Sequence, residues 1–343
     1  MRREKGAGEV SGRGAMVRAA ALLGIGLLGI AAPVLAVGGQ GPARLPRIGF
    51  LSPAGPATSA PIAQAFRQAL EDVGQSEGRS VAVEYRWADG QSDRFPVLAA
   101  ELVGLKVDLL VAVSTQGALA AKNATRTIPI VFGGVGDPVG TGLVAGLGRP
   151  GGNITGVASV LVEGSAKVLE VLREAVPGTT RVAVLAVTRN PAIGLGLKEL
   201  EGAARALGVK VQFQAVRDAE GLPAALAAIA RGRPGALVVF PDSLFFAHRA
   251  RLVEFAAKQR LPAIYPAREY VEAGGLMSYG ANFPDLYRRV AAYVEKILRG
   301  ARPGDLPVEQ PTRFELTLNL KTARALGLPI PQSVLIRADQ VIR

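Results

Sequence analysis

The 343-residue chain is 49% hydrophobic and 20% charged, which suits a globular protein with two cores of ordinary domain size and excludes a disordered or fibrous one. It contains no cysteine, so disulfides, cysteine nucleophiles and a lipid-modified N-terminal cysteine are excluded. The net charge of +12 invites a nucleic-acid partner, but Lys and Arg are interspersed with Glu and Asp, without a basic block, zinc spacing or aromatic RNA-binding motif. No nucleic-acid partner is expected.

Residues 1–36 read as a secretory signal peptide. Arg2, Arg3, Lys5, Arg13 and Arg18 precede the apolar run 19–32, and Val34-Leu35-Ala36 offers permitted residues before a cleavage point. Met16 is an alternative start, because Met16-Val17-Arg18 and the run already make a short signal. A membrane anchor is the competing reading, since the run is near the lower length limit for spanning. Removing this segment, with its five basic and two acidic residues, leaves a net charge of +9.

From residue 45 onward, short β-branched runs alternate with amphipathic stretches. Strands are expected at 47–51, 81–87, 108–113 and 129–132, with helices at 60–73, 95–105 and 116–123 between them. Such alternation predicts parallel βαβ units.

The order then recurs, with strands expected at 182–185, 210–215, 236–240 and 262–265. Local detail repeats too: Thr127-Ile128-Pro129-Ile130-Val131-Phe132 parallels Arg260-Leu261-Pro262-Ala263-Ile264-Tyr265. Two doubly wound α/β lobes with parallel sheets, Rossmann-like and flavodoxin-like, account for this repetition.

Between the halves, residues 129–156 place glycine at ten of twenty-eight positions. Gly140-Thr141-Gly142-Leu143-Val144-Ala145 matches a GxGxxA dinucleotide fingerprint. That fingerprint must open a full helix, and Gly146, Gly148, Pro150, Gly151 and Gly152 forbid one. The segment is instead expected to form a ligand loop after the fourth strand, including Gly134 at the cleft mouth, and then a crossover toward the second lobe.

These residues carry a resemblance. Pro129 to Val139, Gly142-Leu143-Val144, Arg149 to Gly156, "LPAIYPAREYVEAGGLMSYG" (261–280) and the segment 287–342 resemble the ABC-transporter substrate-binding family that includes tryptophan- and tyrosine-binding members. The resemblance implies a type I periplasmic-binding-protein fold with a three-segment hinge, near 156–157, 278–280 and 312–316. Lobe one would hold 45–157 plus 279–311, and lobe two 158–278 plus 312–343. A helix over 286–298 would return to lobe one, and another over 321–326 would close lobe two. It further implies a periplasmic monomer that needs no cofactor, captures an amino acid, aromatic and branched ones among the options, and docks on an ABC permease served by its ATPase. A ligand-sensing domain and a two-lobed Rossmann-like transferase are the alternatives. No pair of carboxylates or serines has a catalytic spacing, and no His or carboxylate cluster suggests a metal.

Ligand loops lie beyond the carboxyl ends of parallel strands, which singles out the candidate residues. In lobe one these are Ser52, Pro53 and Ala54, then Ser114 and Thr115, whose hydroxyls and the amides behind them suit a carboxylate or a plain helix cap. Asp137 suits an ammonium group or an Asp-Pro turn. In lobe two the strand ends bring Arg189 and Asn190, Asp242 and Ser243, and Tyr265 with Glu269. Trp87 reads as packing, and His248 as part of a solvated helix face.

Overall fold

The computed structural model describes residues 44–159, 161–310 and 314–343. The expected signal peptide lies outside them. Among the described residues no helix is long and apolar enough to cross a membrane.

The first lobe runs β1 (Arg47–Ser52), α1 (Pro56–Asp72), β2 (Ala82–Trp87), α2 (Phe95–Gly104), β3 (Leu109–Val113), α3 (Ser114–Ala124), β4 (Ile130–Gly136) and β5 (Ile154–Ser159). Its strands pair in the order β2-β1-β3-β4-β5, all parallel. The apolar runs are continuous because both faces of the sheet are covered. On β3, Leu110 and Ala112 face the side covered by α2 and α3, while Leu109, Val111 and Val113 face the other.

The second lobe continues with α4 (Leu161–Ala175), β6 (Arg181–Val187), α5 (Pro191–Leu207), β7 (Lys210–Val216), α6 (Leu222–Gly232), β8 (Ala236–Val239), α7 (Ser243–Ala247), α8 (Arg249–Lys258), β9 (Ala263–Tyr265), α9 (Arg268–Glu272) and β10 (Met277–Ala281). Helix α10 (Phe283–Leu298) returns to lobe one, where Leu286, Tyr287, Val290 and Val294 join Ile48 and Phe50 in one core. The chain then adds β11 (Phe314–Asn319), α11 (Leu320–Leu326), α12 (Gln332–Arg337) and β12 (Gln340–Ile342) to lobe two. The resulting strand order is β12-β11-β10-β9-β8-β6-β7. Helix α11 stops at Gly327, whose φ of 70° makes the left-handed cap that ends it.

Three details differ from the sequence reading. The first crossing comes later than 156–157, because β5 stays hydrogen-bonded to β4 out to Ser159. The second comes later than 278–280, because β10 pairs with β11 out to Ala281. The lobe-two sheet is not wholly parallel, since β11 runs antiparallel to β10. A chain re-entering from the cleft must run down the sheet, away from the strand ends that face the cleft. Of the third crossing, residues 311–313 lie outside the described residues.

The glycine-rich segment forms turns rather than a helix between residues 137 and 153. Gly156 has a φ of 153°, and a Cβ there would come within 2.1 Å of the Phe132 carbonyl oxygen. Only glycine lets β5 pass so close to β4.

Candidate functional site

Strand ends of both lobes meet around a cleft of about 820 Å³ including its open mouth, the concave arrangement in which small-molecule sites occur. From lobe one come Ser52, Pro53 and Ala54 after β1, Ser114 and Thr115 opening α3, and Gly134. From lobe two come Asn190 after β6 and Asp242 and Ser243 after β8. Nine of the thirteen sequence candidates therefore share one cavity.

Lobe one presents hydroxyls and backbone amides. Ser52 and Ser59 share a buried Oγ···Oγ hydrogen bond of 2.8 Å at the cleft floor. Helix α3 starts directly at the end of β3, which forces Ser114 to a φ of 74°, a strained value for a non-glycine residue. Thr115 Oγ1 accepts from the Gly136 amide at 3.2 Å and ties the α3 N-terminus to the end of β4. The first-turn amides of α3 thus border the cleft at the positive end of an eleven-residue helix.

Lobe two presents a carboxylate. Asp242 caps α7, its Oδ1 accepting from the Leu244 amide at 2.9 Å and its Oδ2 from Gln116 Nε2 of lobe one at 3.4 Å. Burial pushes this carboxyl above its ordinary value, and the hydrogen bonds from Leu244, Gln116, Asn190 and Ser243 offset that only in part. Among the described residues no Lys or Arg forms an ion pair with it.

Four candidates lie elsewhere. Asp137 was expected to present its carboxylate to an ammonium group or to form a turn, and it forms the turn. Its Oδ1 accepts from the Gly140 amide at 2.7 Å, which folds the side chain back onto its own loop and leaves it out of the cavity. Arg189 pairs with Asp93 of lobe one, so its charge joins the lobes and is not open to a ligand anion. Tyr265 is 2% exposed and stacks on Tyr270 with ring centroids 4.9 Å apart, forming a layer behind the cleft wall. Glu269 lines a separate small crevice with Glu315 and Thr317.

The strand-end rule missed residues that reach the cleft from helices. Gln116 sits one turn into α3, Phe246 on α7 and Tyr270 on α9, while Phe283 and Tyr287 come from the start of α10. An aromatic or amide side chain within a turn of a helix that follows a strand is the pattern that would have found them. The Tyr270 hydroxyl is buried without a hydrogen-bond partner among the described residues, and burial together with the nearby Asp242 holds it protonated. Trp87 packs with Tyr85 and Phe50, with ring centroids at 5.3 and 6.2 Å, away from the cleft. His248 lies at the junction of α7 and α8. Among the described residues no group of three or more His, Asp or Glu is placed to hold a metal.

A profile of the ABC transporter substrate binding protein family matches residues 54–342. The chain belongs to this family. This ABC substrate-binding protein is 28% identical over 263 residues to a tyrosine-binding protein of Clostridioides difficile, covering 77% of this chain and 75% of that one. A domain solved in complex with L-Trp, from Streptococcus pneumonia, is 25% identical with a TM-score of 0.81, covering 87% of this chain and 100% of that one. The ligand-free, open structure of a substrate-binding protein with adhesive properties, from Clostridium difficile, is 26% identical with a TM-score of 0.63, covering 87% and 99%. At equal coverage, the lobes of this substrate-binding protein thus stand nearer the arrangement of the tryptophan complex than that of the open protein. The cross-cleft pairs Gln116–Asp242 and Arg189–Asp93 agree with a closed arrangement.

Proposed function

We propose that this protein is the extracytoplasmic solute-binding component of an ABC importer, a monomer that captures an amino acid between its lobes and delivers it to a membrane permease. It binds without chemistry. The observation that carries the reading is Asp242, a half-buried carboxylate in the cleft without a basic partner among the described residues, opposite the N-terminus of α3. A zwitterion complements both: its ammonium replaces the long hydrogen bond from Gln116, and its carboxylate meets the α3 amides with Ser114. Tyrosine and tryptophan in the names of the relatives support an amino acid as cargo.

A ligand held by both lobes favours the closed form over the open one, and the permease then reads loading as shape. The test is thermal unfolding of the purified protein against amino acids, sugars, nucleosides and carboxylic acids. An amino acid at a hundredfold its Kd should stabilise the protein by about 2.7 kcal/mol and raise the midpoint by a few degrees. A shift only with compounds lacking an ammonium group would overturn the zwitterion arrangement.

A further inference from the structure

The crevice that Glu269 lines is separate from the ligand cleft and lies between α9 and the strand pair β10–β11. Pairing of these strands sets Ser278 opposite Thr317 and Gly280 opposite Glu315. Met277, Leu316 and Leu318 enter the core on one side of the sheet, so the four alternate residues face the other side, toward α9. A Cβ at Gly280 would collide with the Pro266 carbonyl, so glycine lets the chain entering α9 lie directly on the sheet. The crevice measures about 240 Å³ including its mouth, and its interior has room for a single occupant the size of a water molecule. It adjoins two of the crossings between the lobes, since β10 ends there at Ala281 and β11 begins at Phe314.

Two oxygens of this crevice, Glu269 Oε2 and Thr317 Oγ1, are buried without a hydrogen-bond partner among the described residues, and Thr317 is only 1% exposed. The Glu269 carboxylate accepts from its own backbone amide, which holds it in place, and burial pushes it above its ordinary value. Glu315 is held by Asn282, whose Nδ2 donates to Oε1 at 2.7 Å while its Oδ1 caps α10. Among the described residues neither glutamate forms an ion pair, and Arg268, in the crevice wall, pairs with Glu272 along its own helix instead.

We infer that Glu269, Glu315, Thr317 and Ser278 form a binding site for a calcium ion. A carboxylate oxygen buried without a basic partner calls for a cation, and donors that are all carboxylate and hydroxyl oxygens suit a hard one. Two carboxylates match a divalent charge. Calcium accepts irregular sets of about six to eight oxygens, to which backbone carbonyls and water at the mouth contribute, whereas magnesium keeps several waters for which the interior has no room. Sequence reading found no metal cluster because Glu269 and Glu315 lie far apart in the chain, and only the sheet pairing and the seat of α9 bring them to one crevice.

The experiment uses protein stripped of metal with a chelator and free of amino acids, so its outcome does not depend on the cargo reading. Thermal unfolding is followed against calcium, magnesium and sodium chloride at constant ionic strength. Calcium reaches about 10 mM, well above the Kd of about 0.1–1 mM common in extracellular calcium modules. The midpoint should rise with calcium and saturate, with magnesium roughly tenfold weaker or more. Glu269→Gln and Glu315→Gln keep the shape of each side chain and should each weaken calcium by roughly tenfold or more, and Thr317→Val by about threefold. Asp242→Asn removes the carboxylate of the cleft and should leave the calcium response unchanged. Should a glutamine variant not fold, a loss in Thr317→Val with the response kept in Asp242→Asn supports the site on its own. No calcium response in the wild-type protein, an equal response to magnesium or sodium, a response kept in both glutamine variants, or one lost in Asp242→Asn would overturn it. So would a Glu269→Gln variant more stable than the wild type with no calcium response in either, which would mean that Glu269 is simply protonated.

Discussion

Gln116 Nε2 on lobe one donates to Asp242 Oδ2 on lobe two at 3.4 Å, across the cavity that the ligand is proposed to fill. The bond is long, and a cation within reach of that carboxylate displaces it easily. Asp242→Asn keeps an oxygen to cap α7 and removes the charge. Affinity for L-tryptophan should fall about 30-fold or more, the loss typical of truncating a buried charged pair. Isothermal titration measures this, and a loss below threefold would remove Asp242 from the site.

The same carboxyl sets a pH dependence. Burial raises it above 3.8, so between 3.8 and the raised value the folded protein holds more protons than the unfolded chain. Through that window this group's contribution to stability falls as pH rises. Ligand affinity runs the opposite way, because an ammonium needs the ionised form. The Kd for tryptophan should tighten through the window from about pH 4 upward and then level off, while Asp242→Asn shows no such rise. A flat wild-type profile would mean that another group holds the ammonium.

Arg189 and Asp93 join the lobes at the cleft rim, with side chains 30% and 72% exposed. Pairs this wet contribute roughly 0.2–1 kcal/mol and weaken with salt. Arg189→Ala should therefore cost no more than about fivefold in affinity and should reduce its salt dependence. Small-angle scattering of the ligand-free protein should show the variant more open. An unchanged radius of gyration would leave the pair without a part in closure.

Asp137→Ala should leave tryptophan affinity within about threefold of the wild type and lower stability by about 1 kcal/mol, as the turn loses its bond to the Gly140 amide. Urea unfolding and titration on the same sample separate the two effects. A tenfold loss of affinity without loss of stability would return Asp137 to the ligand.

The two aspartates show where sequence reading succeeds and where it stops. Both follow a strand beside a proline, so the strand-end rule brings both to the cleft rim. In Gly136-Asp137-Pro138 the side chain turns back onto Gly140, whereas in Pro241-Asp242-Ser243 it caps a helix and faces the other lobe. Sequence order does not encode that choice, because it depends on the φ of 40° at Asp137 and on the α3 side chain opposite Asp242. The alternation of buried strands was legible because both sheet faces are covered, as in Leu109 to Val113. The antiparallel β11 was not, since direction follows from where the chain re-enters the lobe. The aromatic residues Phe246, Tyr270 and Phe283 escaped because helix packing, rather than strand position, brings them together, in edge-on contacts near 6 Å.

The return of α10 to lobe one dictates an order of assembly. Ile48 and Phe50, near the beginning of the chain, share their core with Tyr287 and Val290, more than two hundred residues later. Strand β10 likewise waits for β11, whose first described residue is Phe314. Contacts so distant along the chain form slowly, and neither lobe can complete the second face of its core before nearly the whole polypeptide has emerged. For the exported protein proposed here, that delay keeps the nascent chain unfolded and threadable until translocation can begin.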